Sequence, residues 1–400
     1  MKRLKGMIEW SYNNNDIFYY LSFLSLVFGK TLGLYSGDME YKVIMIFSMF
    51  CLGLKIAFTR YSKKEIIAMG IILAYAVFIY LKTGYITFTI TVVTLLGLKG
   101  INPKHLLKKV LFVKLICESV LITASVAGIV DNFVRDQYVD GLTYSYGFQN
   151  PNDFMVNIFM TVALIVFLDY EKLNILHFLL SLYAFYVVYR VTNSTTGLLL
   201  GVFLVVVFVC LKIFDKLGKI GFNVKKFISM LTIPTSLLCF IATFIVSVYF
   251  DVNNKIMFKL DQLVTGRLKI QHQYWLNYGF SVLGKDISRA AARWDGVQIN
   301  NGFLDSNYWC SFYKYGFVTE MIFIASLIFV SYYHYKKKNY NLVIIINVLC
   351  LYGLMEDFLI NSIVNPFLIF IGCALFSLSA DKKCAQKHYS KAAQRPSANS

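Results

Sequence analysis

The sequence predicts an all-α polytopic membrane protein with about twelve transmembrane helices, both termini cytoplasmic, and one large and one smaller extracytoplasmic loop. Three observations carry that expectation. The 400 residues are 58% hydrophobic and only 15% charged, with a mean hydropathy of +0.60, whereas a soluble domain carries about a quarter charged residues. Apolar runs of about 17–25 residues, each long enough to cross a bilayer, recur along the whole chain. The lysines and arginines behind the +17 net charge fall mostly in short hydrophilic gaps between those runs.

Spans are expected to start near Ile17, Tyr41, Glu65, Ile86, Val110, Phe154, Ile175, Gly197, Phe227, Gly316, Leu342 and Ile363, each running for about 16–24 residues. The run from Ile86 is the shortest and is rich in threonine. Orientation follows from the gaps. Lys2, Arg3 and Lys5 precede the first span, and further basic gaps hold Arg60, Lys63 and Lys64, then Lys99, Lys104, Lys108 and Lys109. Later gaps hold Lys212, Lys216, Lys219, Lys225 and Lys226, then the lysines at 336–338. With both ends inside, every one of these gaps is cytoplasmic, and gaps 35–40, 131–151 and 251–303 lie outside. The first apolar run is expected to be a span rather than a cleavable leader, because it leads directly into others. Residues 1–379 then form one integral membrane domain, and the polar, basic residues 380–400 form a disordered cytoplasmic tail.

The same distribution argues against nucleic acid as a partner, since the cations mark loop orientation rather than a basic face. The eight cysteines contain no CxxC pair and mostly lie inside apolar runs, and the five histidines are scattered. Neither a metal site nor a cofactor is expected.

Chemistry is expected where polar residues interrupt apolar sequence at the outer side. The 251–303 loop contains Trp275 and Trp294, and Ile256, Leu260, Val264 and Leu268 recur every four residues, the spacing of an amphipathic helix in the membrane interface. Within it, TGRLKIQHQYW at 265–275 offers Arg267, Lys269 and His272. These are either cations meeting lipid headgroups or an arginine able to grip a diphosphate bidentately. KDISRAAARWDG at 285–296 places Arg289 and Arg293 four apart, either paired with Asp286 and Asp295 or free to take a second phosphate or sugar. GFQNPNDF at 147–154 is a helix start, with Pro151 excluding helix at Asn150 and with Asn152 or Asp153 as a cap; its amides would equally bond sugar hydroxyls. DSNYWCSFYKYG at 305–316 reads as a cap (Asp305, Ser306) for the tenth span with an aromatic belt of Tyr308, Trp309 and Tyr313. Asp305 can instead be a base facing the arginines, with Asn307 as a sugar ligand. Glu356 and Asp357, in LYGLMEDFLINSIVNPFL, are two adjacent acids near a span end that must pair or face water. Lys114 and Glu118 are charged inside a span and four apart, the spacing of a pair.

Taken in order, YGFQNPNDF at 146–154, VTGR at 264–267, DSNYWCSFYKYG at 305–316 and the LYGLMEDF…NPFL segment resemble the O-antigen ligase/polymerase superfamily, and most of all the Wzy-type polysaccharide polymerases. The resemblance covers about a fifth of the chain. It implies a multi-pass enzyme of a bacterial cytoplasmic membrane that joins undecaprenyl-diphosphate-linked oligosaccharide repeat units into capsular or O-antigen polysaccharide. Arg267 falls on the family's loop arginine. Asp305 stands where related ligases have a histidine base, and Thr195 fills a position where relatives carry arginine, leaving Arg190 to supply that contact. The resemblance further implies a flippase and a chain-length regulator as partners, alongside membrane lipids. In this reading Arg267, with Arg289 or Arg293 and His272, holds the donor diphosphate and Asp305 takes the acceptor proton. Asn150, Asn152, Asn307, Tyr308 and Glu356 contact the sugars. A lipid-linked oligosaccharide flippase fits the span count as well, but no internal repeat is visible and the polar residues gather at one face. A ligase differs only in its acceptor.

Overall fold

The computed structural model describes residues 15–132, 134–137, 141–264, 266–287, 292–294, 297–299 and 304–377. The chain is an α-helical multi-pass membrane protein. In chain order the helices are α1 (Asp16–Thr31), α2 (Met39–Ala57), α3 (Lys63–Thr83), α4 (Thr87–Leu96), α5 (Pro103–Val126), α6 (Pro151–Leu168), α7 (Ile175–Thr192) and α8 (Thr195–Lys216). They continue as α9 (Gly218–Thr232), α10 (Thr235–Val248), α11 (Lys255–Leu263), α12 (Arg267–Tyr278), α13 (Asn307–Tyr315), α14 (Phe317–Lys336), α15 (Tyr340–Tyr352) and α16 (Pro366–Ser377).

Five of these, α3, α6, α7, α8 and α14, are long and apolar enough to cross a membrane. The pair α9 and α10, bent by 41° at a short break, passes as a sixth. α4, α15 and α16 are apolar but shorter. A helix contains, or begins within three residues after, each position at which the sequence predicts a span to start, but several, such as the 16-residue α1, are shorter than a bilayer-crossing helix needs.

Local sequence sets many of the helix ends. Ser62 and Glu65 form a reciprocal capping box at α3, and Gly84 closes that helix in the left-handed conformation. Asn102–Pro103 and Asn150–Pro151 open α5 and α6 in the same way: the asparagine side chain accepts a backbone N–H of the first turn, and proline takes the position that needs no donor. Packing then separates core from periphery. Two-thirds of the apolar stretch of α6 is buried (67%) against 17% for α3, so α6 is a central helix and α3 presents its isoleucines and leucines outward.

The end of the bundle that carries the basic gaps is tied by ion pairs: Lys55 to Asp16 at 2.6 Å and Lys99 to Glu65 at 2.8 Å. Within α5, on the side facing α6, Lys114 meets Glu118 at 3.0 Å, as their spacing predicts. The structure adds two partners from α6: Lys114 donates to Asn157 Oδ1 at 2.7 Å, and Thr161 donates to Glu118 at 2.8 Å.

Two segments between helices depart from an all-helical reading. β1 (Val134–Gln137) pairs antiparallel with β2 (Gly141–Tyr144), and β3 (Ala292–Trp294) pairs antiparallel with β4 (Val297–Ile299). The predicted ladder from Ile256 to Leu268 is not one helix. Gly266 adopts φ +80° and divides α11 from α12, so Leu268 belongs to the second. α11 keeps its amphipathic character, with Ile256 and Leu263 more than 70% exposed.

The 305–316 stretch also differs from expectation. Ser306 precedes a separate short helix, α13, and donates no side-chain cap; the long helix starts only after Gly316, at φ +92°. Its aromatics are not a belt. Trp309, Phe312 and Tyr313 are all buried, with Trp309 stacked on Phe244 at 5.6 Å and on Tyr313 at 5.4 Å. Together with Tyr274 and Trp275 they form an aromatic core that joins α10, α12 and α13.

A polar cavity lined by Asp305 and Glu356, with Arg267 behind them

Three separate parts of the chain bring charge to one place. α12 is pinned to α10 because Gln271 receives the Ser247 hydroxyl at 2.6 Å and the His272 ring meets the Ser247 carbonyl at 2.8 Å. That fixes Arg267, the first residue of α12. Its Nε donates to Asp305 Oδ2 at 2.9 Å and its Nη2 to Glu356 Oε1 at 3.0 Å. Nη1 is buried with no partner among the described residues. Asp305 enters from the approach to α13.

Glu356 comes from the irregular stretch 353–365 between α15 and α16. Non-helical backbone of this kind persists only where its polar groups are satisfied inside the protein. Here Asn307 accepts the Ile360 N–H at 3.1 Å and donates its own backbone N–H to the Gly353 carbonyl at 2.9 Å. Thr91 donates to the Ile360 carbonyl at 2.9 Å, and Ser362 donates its backbone N–H to Thr91 at 3.0 Å.

Asp305 and Glu356 line a cavity of about 430 Å3 that lies at the bundle end opposite the basic gaps. Its wall is strongly polar for so apolar a chain. Four carboxylates face it (Asp153, Asp305, Glu356 and Asp357), with two ammonium groups, Lys30 and Lys314. Lys314 pairs with Asp357 at 3.0 Å, and Cys310 donates to the same carboxylate. Asp153 is bonded by Asn150, which accepts its backbone N–H and donates to Oδ2, both at 2.8 Å. Lys30 has no ion-pair or side-chain hydrogen-bond partner among the described residues. Burial drives the Glu356 carboxyl upward, Arg267 pulls it back and Asp305 and Asp153 push it up again, leaving it at about 8. Burial opposes the charge on Arg267, but Glu356 and Asp305 outweigh it and hold the guanidinium above its ordinary value.

The sequence-predicted residues divide on this geometry. Arg267, Asp305 and Glu356 meet, and Asn150 lines the same cavity. Asn307 and Tyr308 do not face it: both are buried, Asn307 bonded to the 353–365 segment and Tyr308 donating to the Cys350 carbonyl at 2.9 Å. His272 lies tilted against Phe250 and serves the α10–α12 contact. Asn152 is half-buried and lies outside the cavity wall, and Arg190 bonds Tyr186 on its own helix. Arg293 sits in β3 opposite Gln298, and Arg289 lies outside the described residues.

Lys30, Lys314 and Asn157 are wall residues that sequence reasoning missed. Lys30 had a signal, because a lysine beside the 35–40 gap, which the charge pattern of the sequence assigns to the outside, runs against the positive-inside rule. Among the described residues no three His, Cys, Asp or Glu side chains converge in a metal-holding group.

The arrangement can accept protons and hydrogen bonds from a hydroxyl-rich molecule and offer a cation to a developing anion. No family model, curated protein or solved structure matches the chain.

Proposed function

We propose that the chain is a membrane glycosyltransferase of the polysaccharide-polymerase kind. It joins oligosaccharide repeat units carried on undecaprenyl diphosphate into capsular or O-antigen polysaccharide at the outer face of a bacterial cytoplasmic membrane. The twelve-span arrangement with both ends inside belongs to this proposal, since it puts the cavity outside. The observation that carries the reading is the buried Arg267 held between two carboxylates that themselves line a hydrophilic cavity. A guanidinium stabilises the negative charge of a departing diphosphate, and a carboxylate of the Asp305–Glu356 pair takes the acceptor hydroxyl proton. The electrostatic work is then done by protein cations without a metal. Amides at the rim, Asn150 first among them, orient sugar hydroxyls.

Deletion of the gene followed by analysis of lipid-linked glycans tests this. Single repeat units accumulating at the outer face, with long chains lost, support the polymerase. Accumulation at the cytoplasmic face identifies a flippase, and intact free polymer that is no longer attached to its final acceptor identifies a ligase.

A further inference from the structure

We propose that Glu356 is the general base of the transfer and that Asp305 is a positioning residue that holds Arg267. This rests on the glycosyl-transfer reading above. Both carboxylates line the cavity and both bond the same guanidinium, so their surroundings decide between them. The Asp305 side chain is 40% exposed and arrives on the approach to a short helix, while that of Glu356 is 10% exposed. Glu356 is also the better anchored, because its segment is bonded by Asn307 and Thr91. Only Oε1 of Glu356 is engaged, by Arg267 Nη2; Oε2 has no hydrogen-bond partner among the described residues and belongs to a residue of the cavity wall.

A carboxylate held fixed and largely withdrawn from water is a stronger base than a fully solvated one, and the most effective base has its proton affinity near the working pH. The charged and titratable groups facing Glu356 are Arg267 from α12, Asp305, Asp153 from α6 and Tyr352 from α15, with Lys30, Lys314 and Asp357 around the same cavity. Their sum, with burial as the largest cause, leaves the carboxyl at about 8. The sign is therefore fixed: the basic form grows as pH rises towards 8, and the rate should rise with it.

In the step itself, the acceptor hydroxyl oxygen bonds to the anomeric carbon of the donor glycan. The bond from that carbon to the phosphate oxygen breaks, and its electron pair leaves with the lipid diphosphate. The hydroxyl proton passes to Glu356 Oε2 and then to cavity water.

The experiment measures chain elongation across pH in membranes from the source cells, which carry their own lipid-linked repeat units. Wild type is compared with Glu356→Gln, Glu356→Asp and Asp305→Asn at matched protein amounts. Glu356→Gln should lower the rate by about 10²–10⁴-fold, and Asp305→Asn should be slower but keep the rising limb towards 8. Glu356→Asp should keep part of the rate with a displaced limb. Glu356→Gln within about tenfold of wild type, or a limb lost in Asp305→Asn and kept in Glu356→Gln, overturns the assignment. If Glu356→Gln does not fold, a Glu356→Asp profile superimposable on wild type overturns it. Wild-type membranes that elongate nothing overturn the glycosyl-transfer reading and this assignment together, whereas an active wild type with an indifferent Glu356 removes only the second.

Discussion

Lys114 gives the sharpest test of how the helices are joined. It is 3% exposed, and among the described residues it is the only cation paired with the equally buried Glu118. At 3.0 Å the attraction is about 5.5 kcal/mol for an effective dielectric of about 20. Lys114→Met deletes that attraction and the bond to Asn157 while leaving Glu118 buried. The expected loss is about 3–5 kcal/mol, the cost of stranding one member of a buried pair. Glu118→Gln should strand Lys114 in the same way. The double variant strands neither charge and keeps an amide for Thr161, so it should recover most of the loss, with a coupling energy at the upper end of about 0.5–3 kcal/mol. Equilibrium unfolding of the detergent-solubilised protein in mixed micelles reads all four corners of the cycle. Single losses that add to the double within about 0.5 kcal/mol would refute the argument, because the two charges would then not interact.

Two more outcomes follow from the packing. Asn307→Ala should cost about 1–3 kcal/mol by stranding the buried Ile360 N–H; it should also slow elongation by loosening Glu356, which unfolding and activity measured on the same preparation would show. Tryptophan placed at Ile256, on the exposed apolar face of α11, should be quenched by brominated lipids if that helix lies in the membrane interface, and unquenched emission would remove it from there.

Much of the helical layout was legible because it depends on local sequence: apolar runs, the helix start at Pro151 (though its cap is Asn150, one turn before Asp153, rather than Asn152 or Asp153) and the spacing of Lys114 with Glu118. What local sequence could not show was which neighbour a side chain would meet. Lys114 and Glu118 found Asn157 and Thr161 only because α5 packs on α6. Arg267 lies 38 residues from Asp305 and 89 from Glu356, so their meeting is a property of the tertiary fold. The aromatics of 308–313 misled for a different reason. Tyrosine and tryptophan suit a membrane interface and a buried aromatic cluster equally well, since each joins a large apolar ring to one polar group, and only packing separates the two. Position 266 misled through its backbone: the four-residue ladder persists in the side chains while a left-handed glycine breaks the helix beneath it.

If the Arg267 centre transfers glycan, the length of the polymer in cells depends on it. The most direct measurement is polymer length in cells carrying Arg267→Ala beside cells carrying Asp305→Asn, with each protein present in the membrane at wild-type level. Arg267→Ala should leave only single lipid-linked repeat units, and Asp305→Asn should shorten the chains. Full-length polymer from both variants would contradict glycan transfer at this centre.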